Sequence, residues 1–132
     1  MLQVLNGPTI EAGESLSDAI DCCAGQLVCI TIPEGWDKAN LSFQFSPDGK
    51  TFCDLYQFDG FAATIKTVVP GSSVIVPADL GRATAFMKFR SSVPQSERRE
   101  FKVALIPTMP SLGGGGDAPS PYTALITPVA RR

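Results

Sequence analysis

Histidine is absent from the 132 residues, which removes the commonest general base and the commonest metal ligand together. No Ser/His or Cys/His nucleophile pair can be assembled, so the expectation is a protein that is not an enzyme and holds no cofactor. Charge is scarce as well: charged side chains are 18% of the chain and the formal net charge is -2. The only basic runs are Arg98-Arg99 and Arg131-Arg132, too little to draw a nucleic-acid backbone, and no direct nucleic-acid contact is expected. No apolar run approaches the ~20 residues a membrane span needs. The opening MLQVLNGPTIEAGES lacks the basic and apolar regions of a secretory signal. Synthesis in the cytoplasm is the expectation, where thiols stay reduced, with no membrane partner.

Long helical patterns are missing too. Eleven prolines and twelve glycines interrupt most ten-residue windows, and β-branched and aromatic residues cluster between them. This predicts an all-β chain with strands near 9–12, 17–21, 27–32, 41–46, 51–57, 63–69, 73–76, 84–91 and 100–106. So many short strands at even spacing predict an antiparallel β-sandwich, jelly-roll-like, with an extended C-terminal arm. Along 41–46, Leu41, Phe43 and Phe45 alternate with Ser42, Gln44 and Ser46, predicting one core face and one wet face. Ser46-Pro47-Asp48-Gly49-Lys50 supplies a turn, so that Phe45 and Phe52 return on paired strands. In 86–90, Met87 and Phe89 are the expected buried pair, with Lys88 and Arg90 on the other side.

Residues 1–107 form the expected domain. Residues 108–121, with four consecutive glycines and then prolines, read as a linker. Residues 122–132 follow it and carry Tyr122, Leu125, Ile126 and Val129, an apolar content that suits either a frayed tail or an arm laid on a neighbouring subunit.

Four cysteines occur: Cys22, Cys23, Cys29 and Cys53. A zinc site would need all four, and their spacing lacks the C-x2-C knuckles that turn two thiolates onto one ion. Neighbours on a strand point to opposite faces, so Cys22 and Cys23 cannot both be core filler. Three readings stay open: buried free thiols, a bridge from Cys29 to Cys22 or Cys23 across a hairpin, or disulfides between subunits.

Three stretches carry a resemblance when taken together. They are residues 12–21 (AGESLSDAID), residues 32–49 (IPEGWDKANLSFQFSPDG) and residues 52–56 (FCDLY). In this order, and followed by Met87-Lys88-Phe89-Arg90-Ser91-Ser92, they resemble a family of small structural proteins of tailed bacteriophages and prophages, over about residues 10–106. The hairpin around Asp48 is more loosely similar to one in discoidin-like, galactose-binding jelly rolls. The first resemblance implies a virion location and a capsid decoration, or cement, role. It implies the major capsid protein as partner, a homo-oligomer with a trimer favoured, and inter-subunit disulfides once outside the cell. A neck, collar or tail-fibre attachment part is the alternative, and a carbohydrate-binding module the second alternative. Trp36, the single tryptophan, is expected to plug one end of the sandwich with its N–H on a loop carbonyl, or else to stack on a sugar. Phe43, Phe45 and Phe52 join it as core or loop anchors. Asp48 and Gly49 read as turn residues, or as calcium ligands in a less economical reading, and Asp54 and Asp59 as solvated.

Overall fold

In the computed structural model, residues 2–83 and 85–107 are described. Nine strands and a short helix follow one another: β1 Gln3–Ile10, β2 Ile20–Asp21, β3 Gly25–Thr31, β4 Leu41–Ser46, β5 Cys53–Asp54, β6 Thr64–Ile65, β7 Ser73–Ile75, α1 Ala78–Ala83, β8 Phe86–Ser91 and β9 Arg99–Pro107. They build two sheets, one in the order β1-β9-β3-β7 and one in the order β2-β8-β4-β5 with β6 also on β4. Every pairing is antiparallel. This is the jelly-roll-like sandwich expected from the strand spacing.

Alternation puts the core between the sheets. On β9, Arg99, Phe101, Val103 and Leu105 are buried while Glu100, Lys102 and Ile106 are exposed. On β8, Met87, Phe89 and Ser91 are buried, so Met87 and Phe89 are the inward pair. Leu41 and Phe43 of β4 and Leu27 and Ile30 of β3 complete the layer. Phe43, Phe89 and Phe101 stack edge-on with centroids 5.1 Å apart at each step, and Trp36 joins Phe101 at 5.4 Å. These four rings bridge the two sheets, and fused apolar area of this kind is the main favourable term in folding.

Trp36 is only 4% exposed and donates its Nε1–H to the Ala39 carbonyl at 3.3 Å, as a plug would. Beside it, Arg99 is held by Gln95 Oε1 at 3.1 Å and by Asp37 at 3.5 Å. Gln95 also accepts from the Asp37 backbone N–H at 2.9 Å. A buried guanidinium is tolerable because these partners satisfy it.

Several strands differ from expectation. β1 starts at Gln3 rather than near residue 9, and its register on β9 shifts between Asn6 and Thr9. The expected strands 51–57 and 63–69 shrink to two-residue β5 and β6, because Gln57 to Phe61 closes into a turn between them. The strand expected from residue 84 begins at Phe86, preceded by α1. Phe45, expected in the core, is half-buried opposite Met87 at the rim. Ser46, expected to be wet, is fully buried. The turn folds over it: Ser46 Oγ accepts from the Gly49 N–H and donates to Asp48 Oδ1, both at 2.8 Å. Phe52 is no core anchor; it is half-buried, with the Lys88 ammonium 4.6 Å over its ring, a cation–π contact at the surface.

Candidate functional site

A recess of about 550 Å³ opens where β7 and α1 face β4, β6 and the segment that follows β5. Its walls are almost all apolar: Phe43 and Leu55 at the floor, Ile65 from β6, Ile75 from β7, Leu80 from α1 and Phe58 at the mouth. Asp79 is the charged side chain on its rim. Mostly apolar walls with few polar groups describe a binding cleft better than a reactive one.

A short hairpin supplies the mouth. Tyr56 bridges to Ala62, and the Gln57 N–H donates to the Phe61 carbonyl at 2.7 Å. Asp59 Oδ1 accepts from the Phe61 N–H at 2.9 Å, and Gly60 takes the left-handed φ of 92° that the turn requires. The consequence is unusual for a water-soluble surface. Tyr56 is 60% exposed, Phe61 72% and Phe58 fully so. Three aromatic side chains in six positions, held outward by a well-bonded turn, form a patch that ordinary folding does not need. Strand pattern does not reveal it, since residues 51–57 read as strand and Asp59 as solvated. The signal was present: aromatics at 56, 58 and 61 around an Asp-Gly turn.

A second apolar feature runs across the outer face of the first sheet. The registers place Val4 opposite Ala104, Ala104 opposite Cys29, and Cys29 opposite Ile75. Directly opposed residues share a face, so this is one row, with Val4 61% and Ile75 82% exposed. It ends at Ile75, which is also a wall of the cleft.

The remaining sequence candidates separate. Cys22 is buried, Cys23 and Cys53 are exposed, Cys29 lies half-buried in the outer row, and all four are free. Alternation continues past β2 as expected, with Cys22 in and Cys23 out. The cross-hairpin bridge does not form: Cys22 points into the core and Cys29 away from it. Burial, aided by Asp21 and Cys23, pushes the Cys22 thiol up to about 12. A hydrogen bond to Asp21 raises that of Cys23, so neither is an activated nucleophile. Among the described residues no group of three or more Cys, Asp or Glu side chains is arranged to hold a metal ion. Asp48 serves its turn: its carboxylate accepts from the Lys50 and Thr51 N–H groups, which holds it below the usual carboxylate range. Asp54 is not free in solvent but pairs with Arg90 at 3.1 Å, an exposed contact of small worth. Trp36, being buried, offers no face to a sugar. Tyr122, Leu125, Ile126 and Val129 lie outside the described residues.

Comparison with protein-family models, with curated proteins and with solved structures finds no match to this chain. No helix among the described residues is long and apolar enough to cross a membrane.

Proposed function

We propose that this chain is a non-enzymatic structural protein of a phage virion, a decoration or cement protein that binds the major capsid protein through exposed apolar surface. The observation that carries the reading is the hairpin beside the cleft, which exposes three aromatic side chains within six residues, because aromatic side chains are common anchors of protein interfaces. The motif resemblance over residues 10–106 supplies the virion context. Repetition around a shell makes many modest contacts additive, so no single tight site is required. Trimerisation belongs to this reading, as do disulfides between copies. Cys23 and Cys53 are the exposed thiols for that purpose; each pair would yield two electrons and two protons to an oxidant such as dioxygen outside the cell.

The test is sedimentation of particles from producing cells, followed by quantitative gels with and without reductant. Co-sedimentation at a fixed ratio near the copy number of the major capsid protein is expected, with cross-linked species only under non-reducing conditions. A few copies per particle would instead assign the chain to the neck, collar or tail. A chain that stays at the top of the gradient would defeat any virion role. The carbohydrate-binding alternative has lost its Trp36 platform, and sugar binding would have to use Tyr56 or Phe61.

A further inference from the structure

We propose that the cleft takes one extended strand of the major capsid protein, which pairs with the open edge of β7 and drops alternate aliphatic side chains between the sheets. The identity of the partner rests on the decoration reading; the strand slot itself does not.

The edge is read from the backbone. β7 is the last strand of its sheet. The Ile32 N–H donates to the Ser72 carbonyl at 2.8 Å, and the Val76 N–H to the Val28 carbonyl at 2.9 Å. In an antiparallel pair, alternate residues turn their backbone groups to opposite sides. Positions 72, 74 and 76 therefore face β3, while Ser73 and Ile75 turn their N–H and C=O groups away from it. Both residues are exposed, and among the described residues no partner bonds these outward groups. They are donors and acceptors that another strand can take over from water.

Beside that edge lies the apolar recess. Phe43, Leu55 and Ile65 reach it from the second sheet, and Pro77 and Leu80 line it at the α1 end. A chain added to β7 would lie about 4.8 Å from it, with every second side chain pointing between the sheets. An apolar cavity of about 150 Å³ holds one benzene, so about 550 Å³ has room for about three large aliphatic groups. Main-chain bonds to an edge, with alternate side chains in pockets, are the two halves of strand addition.

Charge and shape choose the occupant. Asp79 is the single charged side chain lining the recess, shortly after the C-terminal end of β7. An antiparallel partner has its N-terminal end there, so a Lys or Arg ahead of the aliphatic residues is the match. Tyr56 and Phe58 of the hairpin also line the recess, and a strand in the slot gains those aromatic contacts as well. A second sandwich joined edge to edge would bring its own other sheet, about 10 Å from the first, against that hairpin. A single strand brings no such obstacle.

The test is titration of the ¹⁵N-labelled full chain with the model strand acetyl-KLTVTLS-amide, read by amide shifts and water-exchange NMR. With its Val opposite Val74, the two Thr residues lie opposite Ile75 and Ser73 and the Lys reaches the Asp79 end. Expected are downfield shifts of the Ser73 and Ile75 amide protons. At about five times a Kd of about 1 mM, their exchange should slow about sixfold. Methylating both Thr nitrogens should abolish the effect, whereas methylating the Val nitrogen, which points away from β7, should not. Asp79 is exposed, so Asp79→Lys should keep the native far-UV spectrum and Trp36 emission; it should weaken the Lys peptide and be rescued by acetyl-ELTVTLS-amide. No response at Ser73 and Ile75, a response indifferent to which nitrogen is methylated, or no reversal by the Glu peptide would each overturn the slot. The partner is tested separately, with Ile75→p-benzoylphenylalanine irradiated on sedimented particles. A cross-link to an alternating aliphatic segment of the major capsid protein is expected; cross-links to another virion protein, or between two copies of this chain, would overturn that assignment. If the chain does not sediment with particles, the decoration reading and the capsid partner fall together, while the titration still decides the slot.

Discussion

Replacing Phe89 with alanine should break the link between the two sheets. Phe89 is fully buried, and its ring lies 5.1 Å from both Phe43 and Phe101, at interplanar angles of 89° and 73°. Phe→Ala in a core costs about 3–5 kcal/mol through lost transfer energy and the cavity left behind. Two edge-to-face contacts disappear at once, which favours the upper half of that range. A domain of this size has a total stability of about 5–15 kcal/mol, so the variant should be marginal but measurable. Urea unfolding followed by the emission of Trp36 suits the purpose, since it is the single tryptophan, is 4% exposed and touches Phe101. With an m-value of about 1–3 kcal/mol/M, a loss of about 4 kcal/mol lowers the midpoint by roughly 1.3–4 M. Phe89→Leu keeps most of the apolar volume and should lose only about 1–2 kcal/mol. A midpoint shift below about 0.5 M for Phe89→Ala at unchanged m would refute the view that this ring chain joins the sheets.

Thiol labelling of the native protein should proceed in an order set by exposure: Cys23 and Cys53 first, Cys29 later, and Cys22 only after denaturation, because burial pushes that thiol up to about 12. Peptide mass spectrometry after timed alkylation reads the order, and early modification of Cys22 would contradict its place in the core. Asp48 predicts a pH effect. Hydrogen bonds from Lys50, Ser46 and Thr51 hold its carboxyl below the ordinary 3.8, so folding favours the ionised form. Its contribution is therefore complete above 3.8 and is lost as pH falls through the lower folded value. Asp48→Asn should be less stable than the parent at pH 6, with the gap closing at the acid end of a urea–pH series; a gap that persists unchanged to pH 2 would show that the charge is irrelevant.

Much of the architecture was legible because it depends on local chemistry. Alternation in residues 86–91 and 99–105 marks buried and wet faces directly, and Ser46 to Lys50 announces its turn. The inward and outward split of Cys22 and Cys23 follows from the pleat alone. Short edge elements were harder. β5 and β6 hold two residues each, and what limits them is the turn at Gln57 to Phe61 and the neighbour they pair with, neither of which propensity records. α1 was hidden in the same way: Pro77 and Asp79 are ordinary helix-start residues, but so short a helix persists because it packs on β3.

The candidate site was the least legible part. Phe43, Leu55, Ile65, Ile75 and Leu80 come from five separated stretches, and only the folding of one sheet over the other brings them to a single cleft. Alternation along a strand fixes which side a residue faces; it does not say which strand will lie opposite or whether that side will be covered. The sequence by itself thus determined an all-β sandwich, the inward faces carrying Leu41, Phe43, Met87 and Phe89, and the lack of histidine, all properties of single residues or near neighbours. Tertiary structure alone decided that Phe45 sits at the rim, that Phe52 lies under Lys88 and that Phe58 is left in water, because exposure depends on contacts between segments far apart in the chain.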